Sequence, residues 1–274
     1  MRFIAGIATV VAVISTGGIA AAEPPATPFE TLTACPANTR TDPPVLLIPG
    51  TNATVDKSLG PVREALIADG RCVYGLEYDS TQPISTSVAY FTSAVERIQE
   101  ANPGQRIEVI GKSQGALIAR AVSLKFADRA VHPIHTVIAI SGPQQHGVGT
   151  VAGIEVPPTA ARALPPELPF PTPAVRDMLA GSAYLSELNN GPMTAPEVRY
   201  VMTATSYDRT VTPYTSAFID APNVTNILVQ DGCPEDRTGH IAGSTDPRTT
   251  DLVLHALDPV RHPTIRCAAN NDGR

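Results

Sequence analysis

Charge is scarce in this chain. Only 17% of its 274 residues are Asp, Glu, Lys or Arg, against 43% hydrophobic. That balance excludes a disordered polyampholyte and leaves enough apolar side chain for one good core. The 20 Lys and Arg are outnumbered by 26 Asp and Glu, for a formal charge of -6. There is no basic cluster interleaved with aromatics, so nothing points to a nucleic-acid partner. No internal repeat is present. Cysteine is limited to four residues, none spaced as C-x2-C or C-x4-C, which argues against a zinc site. Proline, by contrast, is plentiful at 27 residues. Apolar runs lie between the prolines, so they indicate long loops rather than disorder.

Long apolar runs are also missing, and the exception is at the start. MRFIAGIATVVAVIS carries one Arg and then a short apolar run from Phe3 to Ile14. Small residues and EPPATP follow. This is the order of a secretory signal, with cleavage expected after Ala22. The run is short for a membrane span and is broken by Gly17 and Gly18. The expectation is therefore an exported chain with residues 1–22 removed, 23–274 forming one domain, and no permanent membrane anchor. Export makes Cys35, Cys72, Cys233 and Cys267 readable as two disulfides. Four cysteines allow three pairings. The sequence-local one joins Cys35 to Cys72 and Cys233 to Cys267. Each bridge would contribute about 3–4 kcal/mol in the chain-entropy model.

Between the prolines, strands and helices alternate. PVLLIPG (44–50), CVYGLEY (72–78), IEVI (107–110), HTVIAIS (135–141), VRYVMTAT (198–205) and NILVQ (226–230) read as strands. A helix is expected over 62–70, with Pro61 at its first position and Gly70 past its end. Val88, Phe91, Val95 and Ile98 recur at helical spacing. A helix begins near residue 115, and another follows Asp246 as N-cap and Pro247 as first residue. Nearly all-apolar strands separated by helices indicate an α/β fold, a mostly parallel sheet covered on both faces. The segment 142–181 breaks the alternation. It is loop-like, holds eight prolines, and reads as a lid or pocket wall.

Function turns on GKSQG (111–115), which lies between IEVI and a helical pattern. This is a G-x-S-x-G elbow, a tight strand-to-helix turn that presents Ser113 above the carboxyl edge of the sheet. A serine nucleophile needs a base, and the base an orienting acid. The elbow fold orders them Ser, then Asp or Glu, then His, each on a loop after a strand. Asp208 in TSYDRTVTP follows VRYVMTA, and His240 in GCPEDRTGHIAGS follows NILVQ. His146, beyond the strand ending at Ser141, is the rival base. His132 and His135 precede a strand, His255 lies in a helix pattern, and His262 is near the C-terminus. The oxyanion hole would take the Gln114 N–H and the Thr51 N–H from the early loop PGTN, with the Thr51 hydroxyl as a further donor. Asp231, Glu235 and Asp236 cluster, and read as a solvated loop rather than a metal site.

Taken together, LLIPGTNAT, KSQG, TATSYDRTVTP and GHIAGS resemble the secreted lipases of the Candida antarctica lipase B type and their bacterial relatives. The resemblance runs from about Cys35 to Cys267. It implies an α/β-hydrolase fold, the triad Ser113, Asp208 and His240, a hole from Thr51 and Gln114, and the sequence-local disulfide pairs. It also implies that GSAYLSELN (181–189) is the helix after the lid. Two departures stand out. Lys112 occupies an elbow position where those relatives often carry an aromatic or His. The chain also ends soon after Cys267, without the extension that helps wall the relatives' pocket, so a more open cleft is expected. The expected activity is secreted hydrolysis of hydrophobic esters at or near a lipid–water interface, through an acyl-enzyme, by a monomer with no cofactor and no metal. Acyl transfer to an alcohol by the same residues, or a non-catalytic binding protein on the same fold, are the alternatives.

Overall fold

A computed structural model describes residues 32–39, 41–151, 154–163, 165 and 170–270. The expected signal segment, residues 1–22, lies outside them. In chain order the first half gives β1 (Val45–Ile48), α1 (Val55–Ala68), β2 (Val73–Gly75), α2 (Ile84–Ala101), β3 (Ile107–Lys112), α3 (Gln114–Leu124) and β4 (Ile134–Ile140). The second half gives β5 (Thr150–Val151), β6 (Ile154–Glu155), α4 (Pro158–Ala163), α5 (Pro173–Met178), α6 (Ala183–Leu188), β7 (Arg199–Ala204), β8 (Val224–Leu228) and α7 (Pro247–Leu257). Among the described residues no helix is long and apolar enough to cross a membrane.

Six strands form one sheet in the order β2-β1-β3-β4-β7-β8, and every pairing in it is parallel. Parallel strands need both faces covered, which is why β1 and β3 are buried along their whole length. On one face Val45, Leu47, Ile110 and Ile138 pack with Leu59, Val62 and Leu66 of α1 and Val253 of α7. Side chains alternate along a strand, so Leu46 and Ile48 point to the opposite face, toward α3. There α2 and α3 pack against each other, α2 through the expected row Val88, Phe91, Val95 and Ile98.

Register sets where the strands end. Ile48 of β1 pairs with Gly111 of β3, Lys112 of β3 pairs with Ile140 of β4, and Ile140 with Thr203 of β7. The carboxyl ends of four neighbouring strands are therefore level. After β1 the chain first visits the edge at β2, then crosses to β3 on β1's other side. That reversal is the switch point at which open parallel sheets bind ligands. The loops after β1 and β3 flank it.

Three local expectations need correction. The helix expected over 62–70 begins earlier, at Val55, because Thr54 caps it by accepting from the Lys57 N–H at 3.2 Å. Pro61 lies inside that span, but a kink at Leu59 divides it into two helical pieces, and the second opens with Pro61 in its first turn, as expected. Proline has no N–H to donate and crowds the preceding turn, and the helix breaks at Leu59 (φ -141, ψ 16) just before it. Second, the strand expected over 72–78 is only Val73–Gly75, an edge strand whose last partner is Leu47. Third, the loop-like segment 142–181 contains structure: β5 and β6 form an antiparallel pair, and α4 and α5 follow. Its prolines conceal the helices. Pro158 and Pro173 each open one, at the position where a missing N–H costs nothing. Elsewhere the caps follow the sequence. Asp246 Oδ2 accepts from the Thr249 N–H at 2.8 Å at the start of α7. Cys35 is bonded to Cys72, and Cys233 to Cys267.

Candidate active site

Ser113 sits between β3 and α3 with φ 54 and ψ -118, a backbone conformation that non-glycine residues avoid. Two glycines make this turn possible. A Cβ on Gly111 would lie 2.2 Å from the Gly115 carbonyl oxygen, and one on Gly115 would lie 2.1 Å from the Ile48 carbonyl oxygen. Any side chain at either place would push β1, β3 and α3 apart. The glycines thus let three backbones meet, and the serine takes the strain. The turn is held by the Ser113 N–H donating to the Ile140 carbonyl at 2.8 Å and by the Ala116 N–H donating back to the Ser113 carbonyl at 3.0 Å.

The structure brings Ser113, His240 and Asp208 into one series. His240 Nε2 is 2.9 Å from Ser113 Oγ, and His240 Nδ1 is 2.7 Å from Asp208 Oδ2. With Nδ1–H donating to the carboxylate, Nε2 is left to accept from the serine hydroxyl. The other Asp208 oxygen, Oδ1, accepts from the Thr210 and Val211 N–H groups, both at 2.8 Å. The carboxylate is thereby fixed by its own loop before it meets the imidazole. Burial is the largest influence on the imidazole and lowers its affinity for a proton; the Lys112 ammonium pushes the same way and Asp208 opposes both.

The loops that carry Asp208 and His240 are stapled together. Thr205 Oγ1 donates to the Thr238 carbonyl at 2.5 Å. Gln230, just past β8, donates to Thr205 Oγ1 at 3.1 Å and to the Asp236 carbonyl at 3.0 Å. Its Oε1 accepts from the Ser206 N–H at 3.0 Å. Nothing in the sequence singled out Gln230. A polar residue ending an apolar strand was the only signal, and it is a common one. Asp236 also departs from expectation. It is fully buried rather than solvated, with Oδ1 accepting from the Thr238 N–H at 2.8 Å. It braces the turn that leads into His240. Glu235 remains exposed, and the nearby Cys233 and Cys267 are spent on each other.

Thr51 and Gln114 face each other across the switch point. The Thr51 hydroxyl donates to Gln114 Oε1 at 2.7 Å, so it is not available as the further oxyanion donor that the sequence suggested. Gln114 is fully buried, and its Nε2 donates to the Ser80 carbonyl at 3.0 Å. The Ser80 hydroxyl in turn accepts from the Asn52 N–H at 2.8 Å. These bonds tie the loop after β1 to the elbow. Neither the Thr51 N–H nor the Gln114 N–H donates to another described residue.

The remaining histidines lie elsewhere. His146 lines a shallow cavity with Gln145, Leu185 and Asn189, and its N–H donates to Ser216 Oγ at 3.1 Å. His132 is buried between the Ser123 and Ile134 carbonyls. His135 contacts Glu108 at the start of the sheet, and His262 contacts Asp69.

A six-stranded, mostly helix-covered parallel sheet with this strand order and a sharp strand-to-helix turn after its third strand is the α/β-hydrolase fold. Its sequence over residues 44–231 matches the family described as palmitoyl protein thioesterase, and the chain belongs to that family. In fold it is similar to lipase B of Aspergillus fumigatus, with 18% identity and a TM-score of 0.66, over 90% of this chain and 59% of that one. It is also similar to the mature lipase BlEst2 of Bacillus licheniformis, with 15% identity and a TM-score of 0.57, over 81% and 94% of the two chains. Est1E from Butyrivibrio proteoclasticus gives 15% identity and a TM-score of 0.53, over 83% and 90%. This chain thus spans less than two thirds of the Aspergillus lipase's length. No curated protein matches its sequence. At these identities the resemblance to lipases is one of fold.

Proposed function

We propose that the protein is a serine hydrolase that cleaves esters of hydrophobic acyl groups through an acyl-enzyme, after export from the cytoplasm. The observation that carries this reading is the unbroken contact from Ser113 Oγ through His240 to Asp208 at the carboxyl edge of the sheet. Both disulfides support export, since such bonds persist in oxidising compartments.

In this reading Ser113 Oγ attacks the carbonyl carbon as its proton passes to His240 Nε2. Asp208 holds the ring in the tautomer that can accept that proton and stabilises the imidazolium that forms. The carbonyl oxygen becomes an oxyanion and takes hydrogen bonds from the Gln114 and Thr51 N–H groups; one such donor is typically worth about 3–4 kcal/mol. Collapse breaks the ester C–O bond, and the leaving alkoxide receives the proton from Nε2. Water then repeats the sequence on the acyl-enzyme, returning the proton to Ser113. The insertion 142–181 serves as lid or pocket wall and receives the acyl chain.

A second reading has the family match behind it. The family's description names a palmitoyl thioester, so the scissile bond here is C–S rather than C–O, broken by the same residues. One experiment separates the two. A chain-length series of p-nitrophenyl esters is run beside the matching acyl thioesters, with Ser113→Ala as control. Ester hydrolysis that vanishes in Ser113→Ala, together with fluorophosphonate labelling of Ser113, supports the first reading; a strong thioester preference supports the second. Full hydrolysis by Ser113→Ala would end both. Adding an acceptor alcohol and measuring transfer against hydrolysis tests the acyltransferase alternative.

A further inference from the structure

Lys112 is the last residue of β3 and immediately precedes Ser113. Its side chain is buried, with the residue only 3% exposed. Burying an ammonium is costly, and lysine is almost never fully buried unless something uses its charge or its donors. An apolar side chain would fill the same volume without that cost. Among the described residues Lys112 makes one side-chain hydrogen bond: Nζ donates to the main-chain carbonyl of His240 at 2.8 Å. That bond joins residues 128 positions apart, the elbow strand and the loop bearing the base.

The charges around the imidazole are few. Among the described residues, those that act on it are Asp208, from the loop after β7, and Lys112, from β3. Ser113 Oγ occupies the Nε2 side and Asp208 Oδ2 the Nδ1 side, and the cation meets His240 at its main-chain carbonyl instead. Asp208 is also the charge that acts on Lys112. The three ionisable groups therefore form one buried set, with the carboxylate attracting both cations and the two cations repelling each other.

We propose that Lys112 is a positioning residue, whose ammonium clamps the His240 main chain and opposes protonation of the imidazole, so that the base stays free in mildly acidic solution. The proposal rests on the serine-hydrolase reading of the site. It carries a trade-off. The same cation makes the transient imidazolium of the reaction less favourable, so Lys112 sets the pH range more than it raises the top rate. Burial pulls the lysine itself down to about 8, against the attraction of Asp208, so its charge is lost in moderately alkaline solution.

The test follows the His240 ring by NMR across pH, which needs no turnover, beside kcat/KM against pH. In Lys112→Met, which removes charge and donor, the His240 midpoint rises by about one pH unit, and the acid limb of kcat/KM moves with it. Lys112→Arg keeps both charge and donor. Its His240 midpoint stays within about 0.3 unit of the parent, even if the larger head over-packs and lowers the melting temperature. In the unmodified protein, the His240 ring signals also show a second small step as Lys112 releases its proton near pH 8. That step needs no variant, so a poorly folding Lys112→Met does not shield the idea. An unmoved midpoint in Lys112→Met, equal movement in Met and Arg, or no second step would each overturn it. If the NMR behaviour appears but no ester or thioester is cleaved, the coupling of Lys112 to His240 stands and the hydrolase reading fails.

Discussion

The carboxyl edge of the sheet and the outer part of the insertion over 142–181 are built differently, although Gln144, Ala174 and Leu179 of the insertion are fully buried as well. At the edge, Gln114 is fully buried, Asp236 is fully buried, and each loop is tied to the next by hydrogen bonds of 2.5–3.1 Å. In the insertion, Ile154 and Phe170 are among the most exposed large apolar residues of the described chain, at 70% and 60%. Its antiparallel pair is two residues long on each side. The difference separates two demands. If the edge carries the proposed proton relay, a misplacement of about 1 Å would cost on the order of 100-fold in rate, which fits loops held by several bonds each. A surface that receives apolar chains of varying length needs apolar area more than fixed geometry.

The largest effect should come from the place where backbones touch. Gly115→Ala sets a Cβ 2.1 Å from the Ile48 carbonyl oxygen, a backbone atom that cannot step aside cheaply. We expect loss of cooperative melting or of all fluorophosphonate labelling. Gly191→Ala is the matched control, because a Cβ there meets nothing within 4 Å. If both variants label like the parent, the elbow is softer than its contacts indicate. Next in size is Asp208→Asn. The amide keeps the shape but favours the wrong imidazole tautomer, and kcat should fall by roughly 10⁴ with little change in melting. A loss of less than tenfold would place the orienting acid elsewhere.

How much of this could be read in the sequence differs between the two regions for a physical reason. The elbow is a local device. Gly111, Ser113 and Gly115 specify a turn that only a strand before and a helix after can use, so five residues announced it. Asp208 and His240 were readable as candidates only because chain order and strand-end position restricted them. Their meeting depends on the ends of β3, β7 and β8, whose registers across the sheet no short motif records. Gln230 was invisible, since its value lies in four bonds, three of them to Thr205 and Ser206, which are 24–25 positions away. The insertion misled in the other direction. Prolines that read as loop punctuation turned out to open helices, because the first turn of a helix does not need their N–H. The kink at Leu59 follows the same rule, since it leaves Pro61 in the first turn of the second helical piece of α1.

Gln230→Leu tests whether the staple matters at the edge. It removes two donated and two accepted bonds at a half-buried site, and leaves the Asp236 carbonyl and the Ser206 N–H and hydroxyl to find other partners. A stability loss of about 1–3 kcal/mol is expected in denaturant unfolding. The rate should drop with KM nearly unchanged, since the variant disturbs the loops that carry acid and base and not the acyl site. A rise in KM at constant kcat would mean that the staple shapes substrate binding instead.

The smallest expected effect on stability is the most informative about the insertion. Ile154→Ser and Phe170→Ser replace apolar side chains that are already largely in water. Little burial is lost, so each should change unfolding free energy by no more than about 0.5 kcal/mol. If 142–181 receives the acyl chain, the same changes should lower kcat/KM for long-chain substrates more than for short ones, and move the chain-length optimum downward. The ratio of long-chain to short-chain kcat/KM is the number to follow, because it cancels any general loss of active protein. An unchanged ratio in both variants would remove the insertion from the acyl site and leave substrate choice to the well-tied edge, erasing the division of labour between the two regions.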